Sequence, residues 1–370
     1  MRAFFAGVII GLAVLSFAGS RVVSADWAAN FVRFGEAIHP EANYFPTVRQ
    51  MMQVVDAGDP KKITVIVGGT SVRYGVGQQD ALVWTHKLQE ILGDRFRVIN
   101  FAQRGGRAND FGNIAAEVLL KRKQPVIYVA DGMLLQFSID YDRSFFKPEI
   151  IEANTRGYLL PWPPREKLLE LRITEKPNQL QSTILGSILD RELNFVDLWN
   201  YASFEFVNLI WTARLPVHPE QPRSAYHLDD LPPEAVEARR YKGNDDSAEI
   251  AICRSWIASD ADSRWSRIIG LTDDTMPPEL RHDTVAVINL RSPHYLKQMS
   301  AQEQADFVLT AKHHRTELSR IGFSRAIISG IGYGENDYAD GLHLSVSGGA
   351  KLADIVAPEI ISLAHERGYQ

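Results

Sequence analysis

The chain is poor in cysteine and carries no excess of positive charge, and each shortage narrows what it can be. Its 370 residues hold a single cysteine, Cys253, so no intrachain disulfide can form. Cys253 reads as a small buried apolar residue rather than a nucleophile or a metal ligand. The formal net charge is −5 and no long basic run occurs, which gives no support for nucleic-acid binding. The glycine-rich stretch from Gly68 to Gly77 lacks both the Gly-Lys-Ser/Thr ending of a P-loop and the Gly-x-Gly-x-x-Gly order. Arg73 stands where a lipase-type nucleophile elbow requires glycine after Gly69-x-Ser71. His313 and His314 are adjacent on a predicted helix and point in different directions, so a shared metal site is not expected. No basic amphipathic helix, internal repeat or low-complexity tract is found. The expectation is a chain with no cofactor and no metal.

The first 25 residues differ from the rest. Arg2 precedes a nearly all-apolar stretch over 3–18, and Val23-Ser24-Ala25 then offers small residues for signal peptidase before Asp26. Residues 3–20 are 18 uncharged residues, the lower edge of a bilayer span. Two readings stay open, a cleaved signal peptide and a retained anchor facing outward from the inner membrane. Both export the body of the chain, to the periplasm or beyond, and a single cysteine suits a bacterial periplasmic protein.

With 45% hydrophobic residues the chain has ample material for a packed core. Residues 26–60 carry aromatics and prolines and read as a helix or two leading into it. β-Branched runs predict strands at 63–67, 96–101 and 126–130, with helices at 80–92 and 110–123 between them. The pattern resumes with strands at 284–290 and 325–331 and helices at 301–321 and 348–367. Strands alternating with helices predict an α/β fold, a three-layer sandwich in which helices flank a parallel sheet. The middle, 138–282, breaks the pattern: it holds 12 of the 18 prolines and five of the seven tryptophans. It reads as a large inserted cap, partly helical at 194–213 and 248–258, or as a structural elaboration that buries its own aromatics. The organisation is thus 1–25 signal or anchor, 26–137 first part of the α/β domain, 138–282 insertion, and 283–370 second part.

Ser71 follows the first strand; Asp340 and His343 follow the last. In parallel sheets ligands bind beyond the carboxyl ends of the strands, so all three fall on the same edge. A serine hydroxyl is a poor nucleophile until a base accepts its proton. His343 can do so near neutral pH, and Asp340 can fix its tautomer from the other ring nitrogen. Gly68, Gly69 and Gly105 would let backbone approach a substrate. Arg104 and Arg107 flank Gly105; either can steer an anionic substrate or simply be solvated.

At these residues the chain resembles the SGNH (GDSL-like) hydrolase superfamily. Gly69-Thr70-Ser71 with Gly75 stands where that family has Gly-Asp-Ser and a glycine four positions on. Asn100 and Gly105 keep the spacing of its second motif, and Asp340, His343 and Gly348 fit its last. The resemblance covers roughly 62–135 and 284–368. It implies an SGNH/flavodoxin-like sandwich and a Ser71–His343–Asp340 triad with the N–H groups of Ser71 and Gly105 as oxyanion hole. The third motif departs: Gly132 occupies the place of the oxyanion asparagine, with Asn109 a candidate replacement. A similar degeneracy marks exported members that handle acyl groups on cell-envelope polymers, such as the D-alanine-transfer protein of the teichoic acid pathway.

The expected function is an exported serine esterase or O-acyltransferase acting on an acylated carbohydrate or another ester, with no nucleic-acid partner. The alternative is a non-catalytic SGNH-fold protein that binds a glycan or partners a membrane acyltransferase.

Overall fold

Five short apolar runs build the sheet, and their burial follows their order in it. The computed structural model describes residues 2–22, 48–78, 82–103, 111–132, 148–167, 246–259 and 276–369. The strands are β1 (Ile63–Val67), β2 (Phe96–Asn100), β3 (Val126–Asp131), β4 (Thr284–Asn289) and β5 (Arg325–Ser329). They pair in parallel in the order β2-β1-β3-β4-β5. The three inner strands, Ile-Thr-Val-Ile-Val, Val-Ile-Tyr-Val-Ala-Asp and Thr-Val-Ala-Val-Ile-Asn, are buried at every position. Helices therefore cover both faces, and a strand with no wet face needs no polar alternation. The edge strands β2 and β5 carry Arg97 and Arg325 and are only half-buried along most of their length. Each fully buried Val or Ile contributes roughly 1.5–3 kcal/mol of hydrophobic stabilisation.

The chain divides into two compact units, Met1–Ala57 with Leu169–Ala225, and Gly58–Leu168 with Tyr226–Gln370. In the first, α1 (Arg2–Val22) and α2 (Val48–Asp56) are described. α1 leaves Ile9, Ile10 and Val14 exposed. Among the described residues no helix is long and apolar enough to cross a membrane. α2 buries Val48, Met51, Val54 and Val55, the spacing of one helical face.

The second unit holds the sheet. After β1 come the one-turn helix α3 (Ser71–Tyr74) and α4 (Trp84–Leu92); α5 (Phe111–Lys121) joins β2 to β3. Between β3 and β4 the described elements are α6 (Pro148–Thr155), α7 (Asp246–Ser259) and α8 (Pro278–His282). α9 (Pro293–Leu296) and α10 (Ala301–Arg320) join β4 to β5, and α11 (Val346–Glu366) ends the chain. The β1-to-β2 crossover runs opposite to the β2-to-β3 and β4-to-β5 crossovers. Right-handed connection therefore puts α4 on one face and α5 and α10 on the other. α11 packs on α4, and Ser300 and Glu303 close a capping box at the start of α10. The α/β architecture and all five predicted strands are present. The helix expected at 248–258 is part of α7, whereas the helix expected at 194–213 lies outside the described residues.

Candidate active site

Strand order places the site. The direction of winding reverses between β1 and β3, and in such sheets a crevice opens there at the carboxyl ends of the strands. The segments that follow β1, β3 and β5 supply the residues that meet at this edge.

On the β1 side the chain turns sharply into α3. Gly68 continues the ladder through its N–H to the Val129 carbonyl (3.0 Å). A Cβ on Gly68 would run into the Tyr128 ring, and one on Gly112 would reach 2.6 Å from Gly68 Cα. Gly69 has φ +116°, and a Cβ there would meet Asp131 Cβ at 2.6 Å. The missing side chains of Gly68 and Gly69 thus make room for Tyr128 and Asp131. Thr70 is the N-cap residue with extended backbone, and Ser71 is the first helical residue. Gly75 ends the turn in the left-handed region, φ 91°, with its N–H on the Ser71 carbonyl. The last carbonyls are held from two directions. Trp84 Nε1 (2.8 Å) and Asn100 Nδ2 (3.1 Å) donate to Arg73 O, and Asn100 Nδ2 also donates to Tyr74 O at 3.3 Å. Asn100, singled out by its spacing, therefore braces the serine turn.

On the β5 side a 3-10 turn at Glu335–Asp337 leads into a narrow loop closed by a Tyr338–Leu344 bridge. Asp340 Oδ1 accepts the backbone N–H of Leu342 and His343, both at 2.8 Å. Asp340 Oδ2 lies 2.6 Å from His343 Nδ1, and His343 Nε2 lies 2.7 Å from Ser71 Oγ across 272 residues of sequence. An ionised carboxylate can only accept, so Nδ1 carries the proton and Nε2 presents its lone pair to the serine hydroxyl. Burial would raise the Asp340 carboxyl. The charge of His343, the ring hydrogen bond and the two backbone N–H groups outweigh burial and hold it at about 2. Ser71 is half-buried, as are the side chains of His343 and Asp340 at 20% and 28% exposure, so none is sealed in the interior.

Close packing brings the two halves together. A Cβ on Gly77 would overlap Ala339, Gln78 Nε2 donates to Leu344 O (3.3 Å), and Gln78 Oε1 accepts from Trp84 N (2.8 Å). The base of the loop is clamped by Asp337, which accepts from Ser347 Oγ (2.9 Å), Lys351 Nζ (2.6 Å) and Gly334 N (2.8 Å). Burial would raise that carboxyl too, but these donors keep it low. Gly348 is required beside it, because a Cβ there would overlap the Asp337 carbonyl. Sequence reasoning passed over Gln78 and Asp337, since each acts on partners that only the fold makes neighbours.

Gly132, where the resemblance expects an asparagine, donates its N–H to Val287 O (2.8 Å). A Cβ there would meet Ile288 Cγ1 at 2.9 Å and the Val287 carbonyl carbon at 3.1 Å, so the position has neither a side-chain donor nor room for one. Arg104, Gly105 and Asn109 lie outside the described residues. Among the described residues no group of three or more His, Cys, Asp or Glu is placed to hold a metal. Cys253 is buried, and burial pushes its thiol up to about 11, which leaves it protonated and unreactive at neutral pH.

The arrangement can pass a proton from the Ser71 hydroxyl to an imidazole oriented by a carboxylate. Comparison with protein-family models, curated proteins and solved structures finds no match for this chain.

Proposed function

We propose that this chain is an SGNH-type serine esterase or O-acyltransferase, exported through its N-terminal segment and acting on acyl esters, with glycans of the cell envelope or outside it as the substrate class. The observation that carries the reading is the continuous Ser71–His343–Asp340 chain of hydrogen bonds at 2.7 and 2.6 Å. The 2-1-3-4-5 strand order and the site's place at the β1/β3 reversal support the SGNH-like form of the sandwich.

In this mechanism Ser71 Oγ attacks the acyl carbonyl carbon while His343 Nε2 takes its proton. Asp340 keeps the imidazole in the required tautomer and stabilises the imidazolium that forms. The tetrahedral oxyanion is bound by the N–H of Ser71, a first-turn position outside the helix's own hydrogen-bond ladder, and by that of Gly105. Collapse expels the alcohol, protonated by His343, and leaves an acyl-Ser71 ester. Water then gives the acid and a hydrolase; a sugar hydroxyl gives a new ester and a transferase. An asparagine donor of the usual kind is worth roughly 10²–10³ in rate, so Gly132 points to a slower enzyme than a fast general esterase.

Turnover of p-nitrophenyl acetate by wild type and by Ser71→Ala tests the reading: the variant is expected to fall to background. Equal rates would refute it and favour the second reading, a glycan-binding or acyltransferase-partner protein, which the filled space at Gly132 supports.

A further inference from the structure

The residue just before Ser71 does something unusual for its position. Thr70 caps α3, and a capping hydroxyl ordinarily accepts an N–H two or three residues on. Here it makes no such bond. The Thr70 hydroxyl instead donates to the carboxylate of Asp131, the last residue of β3, and both side chains are buried. We infer that Asp131 is a positioning residue for the nucleophile, holding the Thr70–Ser71 backbone so that Ser71 Oγ meets His343 Nε2.

Two further contacts support the assignment. Gly69 and Asp131 touch so closely that a side chain at 69 would displace one of them, so the end of β3 bears directly on the nucleophile turn. Two residues after Ser71, the fully buried Arg73 guanidinium donates from Nη2 to Val287 O (2.8 Å) and Asn289 Oδ1 (3.0 Å) at the end of β4. Burial lowers the Arg73 pKa, and the charge of Asp131 is the largest influence opposing it. Ser71 is thus bracketed by polar side chains anchored on β3 and β4, and the charge of Asp131 offsets part of the burial of Arg73. Where the resembling family carries an aspartate inside its first motif, this chain carries Thr70 and supplies the carboxylate from β3. Without the bond, the Thr70–Ser71 backbone loses its side-chain tie to β3, and the turn that aims Ser71 can shift. A misplacement of about 1 Å costs on the order of 10²-fold in rate.

The inference rests on the proposed hydrolase reading, and its test separates the two. Rates on p-nitrophenyl acetate are measured for wild type, Ser71→Ala, Thr70→Val, Thr70→Ser, Asp131→Ala and the double variant Thr70→Val/Asp131→Ala. Thr70→Val and Asp131→Ala are each expected to lower kcat ~10–100-fold with KM within ~3-fold, since aim rather than ground-state binding is lost. Thr70→Ser keeps the hydroxyl and should stay within ~3-fold of wild type. The double variant should fall no further than either single, because the two residues act as one unit. A Ser71-dependent rate untouched by Thr70→Val, or losses that multiply in the double variant, would overturn this inference alone. A wild-type rate no higher than that of Ser71→Ala overturns the hydrolase reading and this inference with it. Should Asp131→Ala fail to fold, the contrast between Thr70→Val and Thr70→Ser decides the matter.

Discussion

Asp340→Asn isolates the orienting carboxylate with almost no change of shape, and the hydrogen bonds at Asp340 predict how it fails. Oδ1 accepts two backbone N–H groups and Oδ2 accepts the His343 ring. An asparagine keeps the two backbone bonds only if its carbonyl oxygen takes the Oδ1 place. That turns its NH2 group toward His343 Nδ1, which must then accept. The ring proton moves to Nε2 and points at Ser71 Oγ, so the imidazole can no longer take the serine proton. The opposite rotamer restores the tautomer but sets NH2 against two backbone donors, each unsatisfied group costing ~1–3 kcal/mol. The wrong-tautomer state therefore dominates. In the well-studied triads this substitution lowers kcat about 10⁴-fold, equivalent to ~5.5 kcal/mol of transition-state stabilisation. Steady-state kinetics on p-nitrophenyl acetate, beside a melting curve that confirms the fold, should show that fall with KM little changed. A folded Asp340→Asn enzyme retaining more than about a tenth of wild-type kcat would refute the tautomer argument.

Two predictions concern stability away from the site. His314 is buried and stacked on Trp256 at 5.5 Å, and burial followed by the charge of His313 pushes its ring down to about 3. The unfolded chain takes up this proton first, so the stability is whole above about pH 6.5 and is lost as pH falls toward 3, with about 2 kcal/mol gone by about pH 5. Urea titrations should show a shallower acid slope for His314→Phe than for wild type, and parallel slopes would contradict the assignment. Glu117 and Arg165 form an ion pair at 2.7 Å with side chains 0% and 1% exposed. Glu117→Leu strands a buried cation at a cost of about 3–5 kcal/mol, and Glu117→Leu/Arg165→Met should recover most of it. A double variant as unstable as the single would show that the loss comes from packing rather than from charge.

Much of the fold was legible because its strands lie inside it. β1, β3 and β4 are covered on both faces, so they appear in sequence as unbroken β-branched and apolar runs bounded by turn residues. Ser71, Asp340 and His343 were legible for a topological reason: each follows a strand, and a parallel sheet gathers all such segments at one edge. What local pattern could not reveal is which strands are neighbours. Asp131 had no role to read until β3 lay beside β1, and Gln78 none until its loop met Leu344. Gly68 and Gly69 read as backbone freed for a ligand, and only the fold shows that Tyr128 and Asp131 fill the space their missing side chains leave. Arg73 appeared only as a break in an elbow motif, because nothing in its neighbours announces a fully buried guanidinium.

The most direct measurement of the central claim is covalent labelling with a fluorophosphonate probe followed by peptide mass mapping. A serine activated by His343 should carry the adduct at Ser71, and His343→Gln should lose it while remaining folded. Folded wild-type protein that takes up no probe, or that takes it up at another residue, would contradict the account.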